Sequence, residues 1–358
     1  MTCTVSVDSS WQKRGHTSLN DIVSIISTYN GKCLDYDVLS KKCHSCAMWK
    51  HKKQSPQYVN WKLNHVCQAN HAGSSGSMEA IGAVKMFSRS ISENNLMYTE
   101  YIGDGDTTSF NQVQLSKPYG EILITKLKCI GHIQKHVGTH CRNIRITHKN
   151  KKLSNGKGVS GLGRLSEKAI NTLQNYFGRA VRQNIGNIYL MKKFIWATLF
   201  HNTNFFDENV RHQFFPRNKD SWCLWQADKI TVWHDLTTDL LLLKCLHGQT
   251  QNRNECLNSM VWKKCPKEIF VSRKLLEIGI CSAIIEFNDG KSGLTPIIQV
   301  LGLPVSKFML NAFRKSDTDR IKNIQRKSST KGIRMRKKLR AIRKGFLRNI
   351  KIKRRKMT

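Results

Sequence analysis

Three carboxylates stand out in a chain that has few of them. The sequence of 358 residues holds 60 Lys+Arg against 24 Asp+Glu, so an acid that closes a strand-like stretch or sits among glycines is a candidate for chemistry. Asp8 follows the alternating Val5 and Val7, and Asp104 ends a second apolar stretch inside Gly103-Asp-Gly-Asp106. Carboxylates at the ends of neighbouring strands can hold a pair of Mg²⁺ or Mn²⁺ ions roughly 3.5–4 Å apart, which activate a water or a 3′-hydroxyl and stabilise the leaving oxygen of a phosphodiester. A third ligand is expected from a helix, and Glu255 lies in His247-Gly-Gln-Thr-Gln-Asn-Arg-Asn-Glu255-Cys-Leu-Asn-Ser-Met-Val-Trp262. If that stretch is helical, Asn252, Glu255, Ser259 and Trp262 share one face at spacings of three and four. Each acid taken singly also suits a turn, and Asp106 remains a rival for Asp104.

A second constellation is built from soft ligands. Cys43-x-x-Cys46 is followed by Cys67-x-x-x-His71, a Cys₃His arrangement suited to tetrahedral structural zinc, with His65 and His51 as alternative fourth ligands. Residues 41–72 are mostly polar and have too few aliphatic side chains to order themselves without a metal. The pair Cys129-x-x-His132 supplies only two ligands, which favours a packed strand-to-helix junction over a metal site. Twelve cysteines, without an apolar leader-like segment at the start of the sequence, point to reduced thiols rather than a disulfide framework.

The elements that must position these residues follow from hydropathy. Residues 4–8, 22–28 and 32–39 read as strands, the last two joined through Asn30-Gly31. Met78, Ile81, Ala83, Val84 and Phe87 recur at helical spacing up to about Ile91. A strand at 98–102, a short helix at 107–115 and a strand at 122–130 complete the first part. Three antiparallel strands, a helix, a strand, a helix and a strand is the order of a ribonuclease-H-like α/β (α+β) mixed sheet, in which the first and fourth strands are neighbours. Asp8 and Asp104 would then face one another.

Beyond His132 the pattern becomes helical, with a Gly-rich stretch at 155–163, an amphipathic helix capped by Ser166 over 164–182, helices at 190–200 and 239–246, and a polar loop at 211–228 carrying Trp222 and Trp225. The glycines at 158–163 lack the Walker lysine and hydroxyl, so a hinge is the better reading than a phosphate loop. The expected organisation is a core in 1–132 with a Cys/His insertion at 41–72, a large helical insertion at 133–240 before the catalytic Glu, the Glu helix and the end of the core at 241–310, and a basic tail without fixed structure at 311–358.

The motifs Asp8-Ser-Ser-Trp-Gln-Lys-Arg-Gly-His16, Gly103-Asp-Gly-Asp106 and Thr250-Gln-Asn-Arg-Asn-Glu255 occur together and in order. With His71-Ala-Gly-Ser-Ser-Gly-Ser-Met-Glu79 and Leu127-Lys-Cys-Ile-Gly-His132, they make the sequence resemble the Mutator-like transposases of arthropod genomes, from Asp8 to about Leu303. The resemblance implies a ribonuclease-H-like catalytic domain with an Asp-Asp-Glu triad, here Asp8, Asp104 and Glu255, that cuts and joins DNA at transposon ends. It also matches Cys129 and His132 to the Cys-x-x-His motif that follows the second Asp. Two departures stand out. Ser9 replaces a usual glycine, and the chain begins seven residues before the first Asp, from which a truncated copy without an N-terminal DNA-binding region is expected.

The charge distribution points to the same partner. The formal charge is +36, and residues 314–358 carry 20 Lys+Arg against Asp317 and Asp319, a net +18. Such a balance attracts double-stranded DNA. Lys13, Arg14, Lys337, Lys338, Arg354 and Arg355 are the candidate DNA contacts, and runs such as Lys353-Arg-Arg-Lys356 suggest nuclear import. No apolar run approaches the roughly 18 residues that cross a bilayer. Transposition pairs two DNA ends, so self-association is expected. The alternatives are a non-catalytic, transposon-derived nucleic-acid-binding protein and a ribonuclease-H-like nuclease.

Overall fold

A computed structural model describes residues 1–13, 17–104, 107–152, 156, 158–160, 164–201, 238–336, 339, 340 and 342. The chain opens with β1 (Thr2–Trp11), β2 (Asn20–Ser27) and β3 (Cys33–Ser40). β1 extends three residues past the expected end at Asp8, so Asp8 lies within the strand. All eight residues of β2 are buried, because the sheet is covered on both faces and Ile22, Val23, Ile25 and Ile26 suit a pleat packed from both sides. The β2–β3 turn needs Gly31, whose φ of +74° lies in the left-handed region. Asn30 Oδ1 accepts from the Lys32 N–H at 3.0 Å and fixes that turn.

Two short helices follow, α1 (His44–Trp49) and α2 (Pro56–Asn64), and then α3 (Met78–Asn94). α3 lies on the sheet through Met78, Ala83, Met86 and Phe87, which pack with Val5, Val7, Val23, Ile25 and Leu39. Full burial of a side chain such as Phe87 contributes about 1.5–3 kcal/mol. Gly82 permits the close approach, since a Cβ there would lie 2.7 Å from Val23 Cγ2. Asn95 ends α3 in the left-handed conformation, φ 53°. β4 (Met97–Gly103), α4 (Thr108–Leu115) and β5 (Thr125–Lys128) complete a five-stranded sheet of order β3-β2-β1-β4-β5. β1–β2 and β2–β3 are antiparallel, while β1–β4 and β4–β5 are parallel. This mixed α/β arrangement is consistent with a ribonuclease-H-like core. β5 is shorter than the apolar pattern of 122–130 suggests, because α5 (Ile130–Thr147) starts at once and takes Ile130 and Ile133 into a different core.

That second core joins α5, α6 (Glu167–Gln183), α7 (Ile188–His201) and α8 (Asp239–Leu243) through Val137, Cys141, Leu173, Phe177, Ile195 and Leu242. Ser166 Oγ caps α6 by accepting from the Ala169 N–H at 3.2 Å. Next come α9 (Asn252–Lys264) and α10 (Arg273–Asp289). The chain divides into two compact units, Met1–Gly279 and Ile280–Thr358. The second contains α11 (Thr295–Val300) and α12 (Lys307–Ser328). Asp317 accepts from the Lys291 N–H at 2.8 Å and the Ser292 N–H at 3.0 Å, and pins α12 to the turn before α11. The basic stretch expected from residue 311 onward thus begins within α12, which runs to Ser328. The helix is capped by Ser306, whose Oγ accepts from the Met309 N–H at 3.2 Å. The loop read at 211–228 lies outside the described residues.

Candidate active site and metal module

The parallel pairing of β1 with β4 brings the first two acids to corresponding positions. Ser6 is opposite Ile102, and Asp8 and Asp104 each lie two residues further along their chains. Asp106 lies outside the described residues. The two faces of β1 divide the work. Val5 and Val7 enter the α3 core, while Ser6, Asp8 and Ser10 meet α9. Gln251 Nε2 donates to the Val7 carbonyl at 2.7 Å, Asn254 Nδ2 to the Ser6 carbonyl at 3.2 Å, and Asn258 Nδ2 to Asp8 Oδ2 at 2.8 Å. Trp262 Nε1 donates to Ser10 Oγ at 2.8 Å. Amides at positions 251, 254 and 258 thus form a polar ridge along β1, each donating to a backbone or carboxylate acceptor of the strand.

The row that carries Glu255 lies beside this ridge. Asn254, Leu257, Asn258 and Val261 are buried, and Asn252, Glu255 and Ser259 form the exposed row beside them. Glu255 is 57% exposed and lies 3.7 Å from Lys135 Nζ, a solvent-screened pair of small energetic value. Burial, followed by Glu79, Asp104 and Glu255 in that order, raises the Asp8 carboxyl from its ordinary 3.8 to about 8, and His132 partly opposes this. Asp104 and Glu255 therefore both lie within electrostatic reach of Asp8.

Glu79 is an acid that reasoning from spacing missed. It occupies the first turn of α3, and its Oε2 accepts from Ser9 Oγ at 3.0 Å. The serine that departs from the usual glycine makes a contact glycine cannot. Asp21, opposite Trp11 on β2, is fully buried, and burial and then Glu79 hold its carboxyl well above the ordinary range. A Glu directly after a Ser/Gly-rich helix start was the available signal for Glu79, but nothing local distinguishes it from a first-turn acid that favours the helix dipole.

Cys129 and His132 sit at the β5–α5 junction. The Cys129 N–H donates to the Gly103 carbonyl at 3.3 Å, and Cys129 Sγ accepts from the Gln251 N–H at 3.4 Å. One residue thereby ties the end of β4 to the start of α9. Burial raises the Cys129 thiol, but hydrogen bonds with His132 and Gln251 outweigh it and the net shift is downward. The hydrogen bond to Cys129 in turn raises His132.

The soft ligands gather elsewhere. Cys43, Cys46, His65 and Cys67 place one ligand atom each within 4.8 Å of one another. Cys46 Sγ is 3.1 Å from His65 Nε2 and 3.6 Å from Cys67 Sγ, and Cys43 Sγ is 3.4 Å from His65 Nε2. Two sulfurs bound tetrahedrally at about 2.3 Å would be roughly 3.8 Å apart, so this Cys₃His set fits zinc. Burial raises the Cys43 thiol, but hydrogen bonds led by the Gln68 and Cys46 N–H groups outweigh it and bring it down to about 6.

The group that gathers includes His65 rather than His71, the first choice from spacing. His71 is buried, with Nε2 2.9 Å from the Ser74 carbonyl oxygen and 3.1 Å from Ser77 Oγ, and it holds the turn into α3. Gly73 is required there because a Cβ would lie 2.9 Å from His71 Nε2. α2 instead presents His65 immediately after its last turn, with the imidazole stacked on Trp61 at 4.4 Å between centroids.

Lys13 is exposed just past β1. Arg14, Lys337, Lys338, Arg354 and Arg355 lie outside the described residues. No helix among the described residues is long and apolar enough to cross a membrane.

A mixed α/β sheet consistent with a ribonuclease-H-like core, carrying an acid centre at the β1–β4 ends and a separate Cys/His module, defines the class. The particular family follows from a family model of the Mutator-like transposases, which matches residues 1–223. That is more than half of the chain, and the chain belongs to this family. Comparison with curated proteins and with solved structures finds no match.

Proposed function

We propose that this chain is the catalytic core of a DNA transposase, in which Asp8, Asp104 and Glu255 hold two Mg²⁺ or Mn²⁺ ions for strand cleavage and transfer. The observation that carries this reading is the docking of α9 across β1, with Asn258 on Asp8 and Glu255 one turn earlier on the same helix. The donor set fits hard divalent cations: all three ligands are carboxylates, and Asp104 and Glu255 both bear electrostatically on the buried Asp8. Bound cations would supply Lewis acidity and an activated oxygen nucleophile. The chain itself supplies the rest. Asn258 orients Asp8 through Oδ2. Gln251 and Asn254 fix the helix that carries Glu255, and Cys129 links that helix to the end of β4.

Zinc in the Cys43, Cys46, His65 and Cys67 cluster is structural in this proposal, since four protein ligands leave no open position for chemistry. The partner is double-stranded DNA, as family membership suggests, and the basic sequence beyond residue 306 adds phosphate contacts and a nuclear address. Two copies would hold paired ends.

Asp104→Asn tests the proposal on a labelled duplex containing transposon ends, in Mg²⁺ or Mn²⁺. Cleavage should vanish while DNA binding persists. Equal cleavage by both proteins would contradict the assignment. Binding without cleavage by either would favour a DNA-binding protein with an idle triad.

A further inference from the structure

We infer that the outer surface of the Cys/His module is a docking surface for the phosphate backbone of duplex DNA, so that the metal orders a DNA-gripping element rather than merely a loop. This rests on the reading that the module holds zinc. Residues 41–72 contain six lysines and no Asp or Glu, so nothing within the module neutralises them. Lys50, Lys52, Lys53 and Lys62 are exposed.

The module is closed at its base. Asn70 donates through Nδ2 to the Val38 carbonyl at 2.8 Å and accepts from the Ser40 N–H at 2.7 Å, which pins its return to β3, the edge strand of the sheet. Neither α1 nor α2 buries a residue. Their inward side is a stack of Trp49 on Trp61, 5.1 Å between centroids, continuing onto the ligand His65. Tyr58 packs on both tryptophans, while Val59, 62% exposed, and Leu63, 81% exposed, face outward beside Lys62.

Charge decides which partner covers such a surface. A second copy would oppose one uncompensated lysine cluster with another, and like charges across an interface are repelled. A phosphate backbone gains instead, because each lysine that neutralises a phosphate releases condensed counterions. The aliphatic side chains between the lysines then meet the sugars, which carry no charge.

The experiment uses the full chain. Fluorescence anisotropy with a labelled duplex of about 30 base pairs gives the dependence of log affinity on log salt concentration for the wild type and for the combined variant Lys50→Gln, Lys52→Gln, Lys53→Gln, Lys62→Gln, with zinc content measured on both. The slope should become shallower by roughly three to four, about 0.9 per lost phosphate contact, in a variant that keeps its zinc. An unchanged slope in a zinc-replete variant overturns the proposal. So does a result in which Leu63→Asp halves the sedimenting mass while leaving DNA binding intact, which would make this surface a protein interface. Absence of zinc from the wild type would refute the metal reading separately, and neither readout depends on strand cleavage.

Discussion

The acid centre and the Cys/His module are positioned by opposite means. Asp8 is held by a strand packed on both faces, with α3 on one side and the amides of α9 on the other. Cys43, Cys46, His65 and Cys67 are held by two short helices that bury nothing. In the first region a hydrophobic core makes the site and the ligands are arranged on it. In the second a bound zinc would take the place of a core, so that the local fold and metal binding would be one equilibrium. The sheet should therefore keep its fold without metal, and the module should not.

Zinc removal breaks the comparison most visibly. Structural zinc contributes on the order of 10 kcal/mol in small modules, so a chelator should expose residues 41–72 to limited proteolysis while β1 to β5 stay protected. Within that test, His65→Ala should lower zinc stoichiometry sharply and His71→Ala should leave zinc bound. The reverse result would restore His71 as the ligand.

A smaller effect is expected at the acid centre. Asn258→Ala removes the amide that orients Asp8 and should reduce metal-dependent cleavage by about 10–100-fold, the usual cost of losing a residue that orients a metal ligand. The sheet should melt as a unit as before, as read by circular dichroism. Collapse of the fold would instead make Asn258 a structural residue.

The smallest effect is a pH dependence. Burial and then the Glu79, Asp104 and Glu255 carboxylates lift Asp8 from 3.8 to about 8, above its unfolded value. The folded state therefore binds this proton more tightly, so the associated stability is complete below pH 4 and is lost as pH rises through 8. In metal-free protein the melting temperature of Asp8→Asn should gain a few degrees on the wild type between pH 5 and pH 8. Added Mn²⁺ should narrow that gap by stabilising only the wild type. A difference independent of pH would mean that Asp8 is not held among like charges.

The same contrast governs what was legible in the sequence. Alternation and β-branched residues revealed β1 to β4, and Ser166 marked the start of α6, because those signals are local. The neighbourhood of Asp8 and Asp104 followed from element order once β1 and β4 were recognised. Which face of α9 is buried did not, since that face is rich in amides and leaves the hydrophobic pattern weak. Cys43, Cys46 and Cys67 were legible from spacing. The fourth ligand was not, because the choice between His65 and His71 depends on where α2 ends and on the turn that binds His71 to Ser74 and Ser77. Glu79 is brought near Asp8 only by α3 packing on the sheet, a tertiary contact with no sequence period.

The most direct measurement is nicking of a labelled duplex with transposon ends in Mn²⁺, comparing this chain with its Glu255→Gln variant at matched DNA occupancy. Metal-dependent cleavage by the wild type is expected, with a loss of well over a hundredfold in the variant, beyond the cost expected for an orienting residue. Equal cleavage by the two proteins would contradict the assignment of Glu255, and with it the acid centre described here.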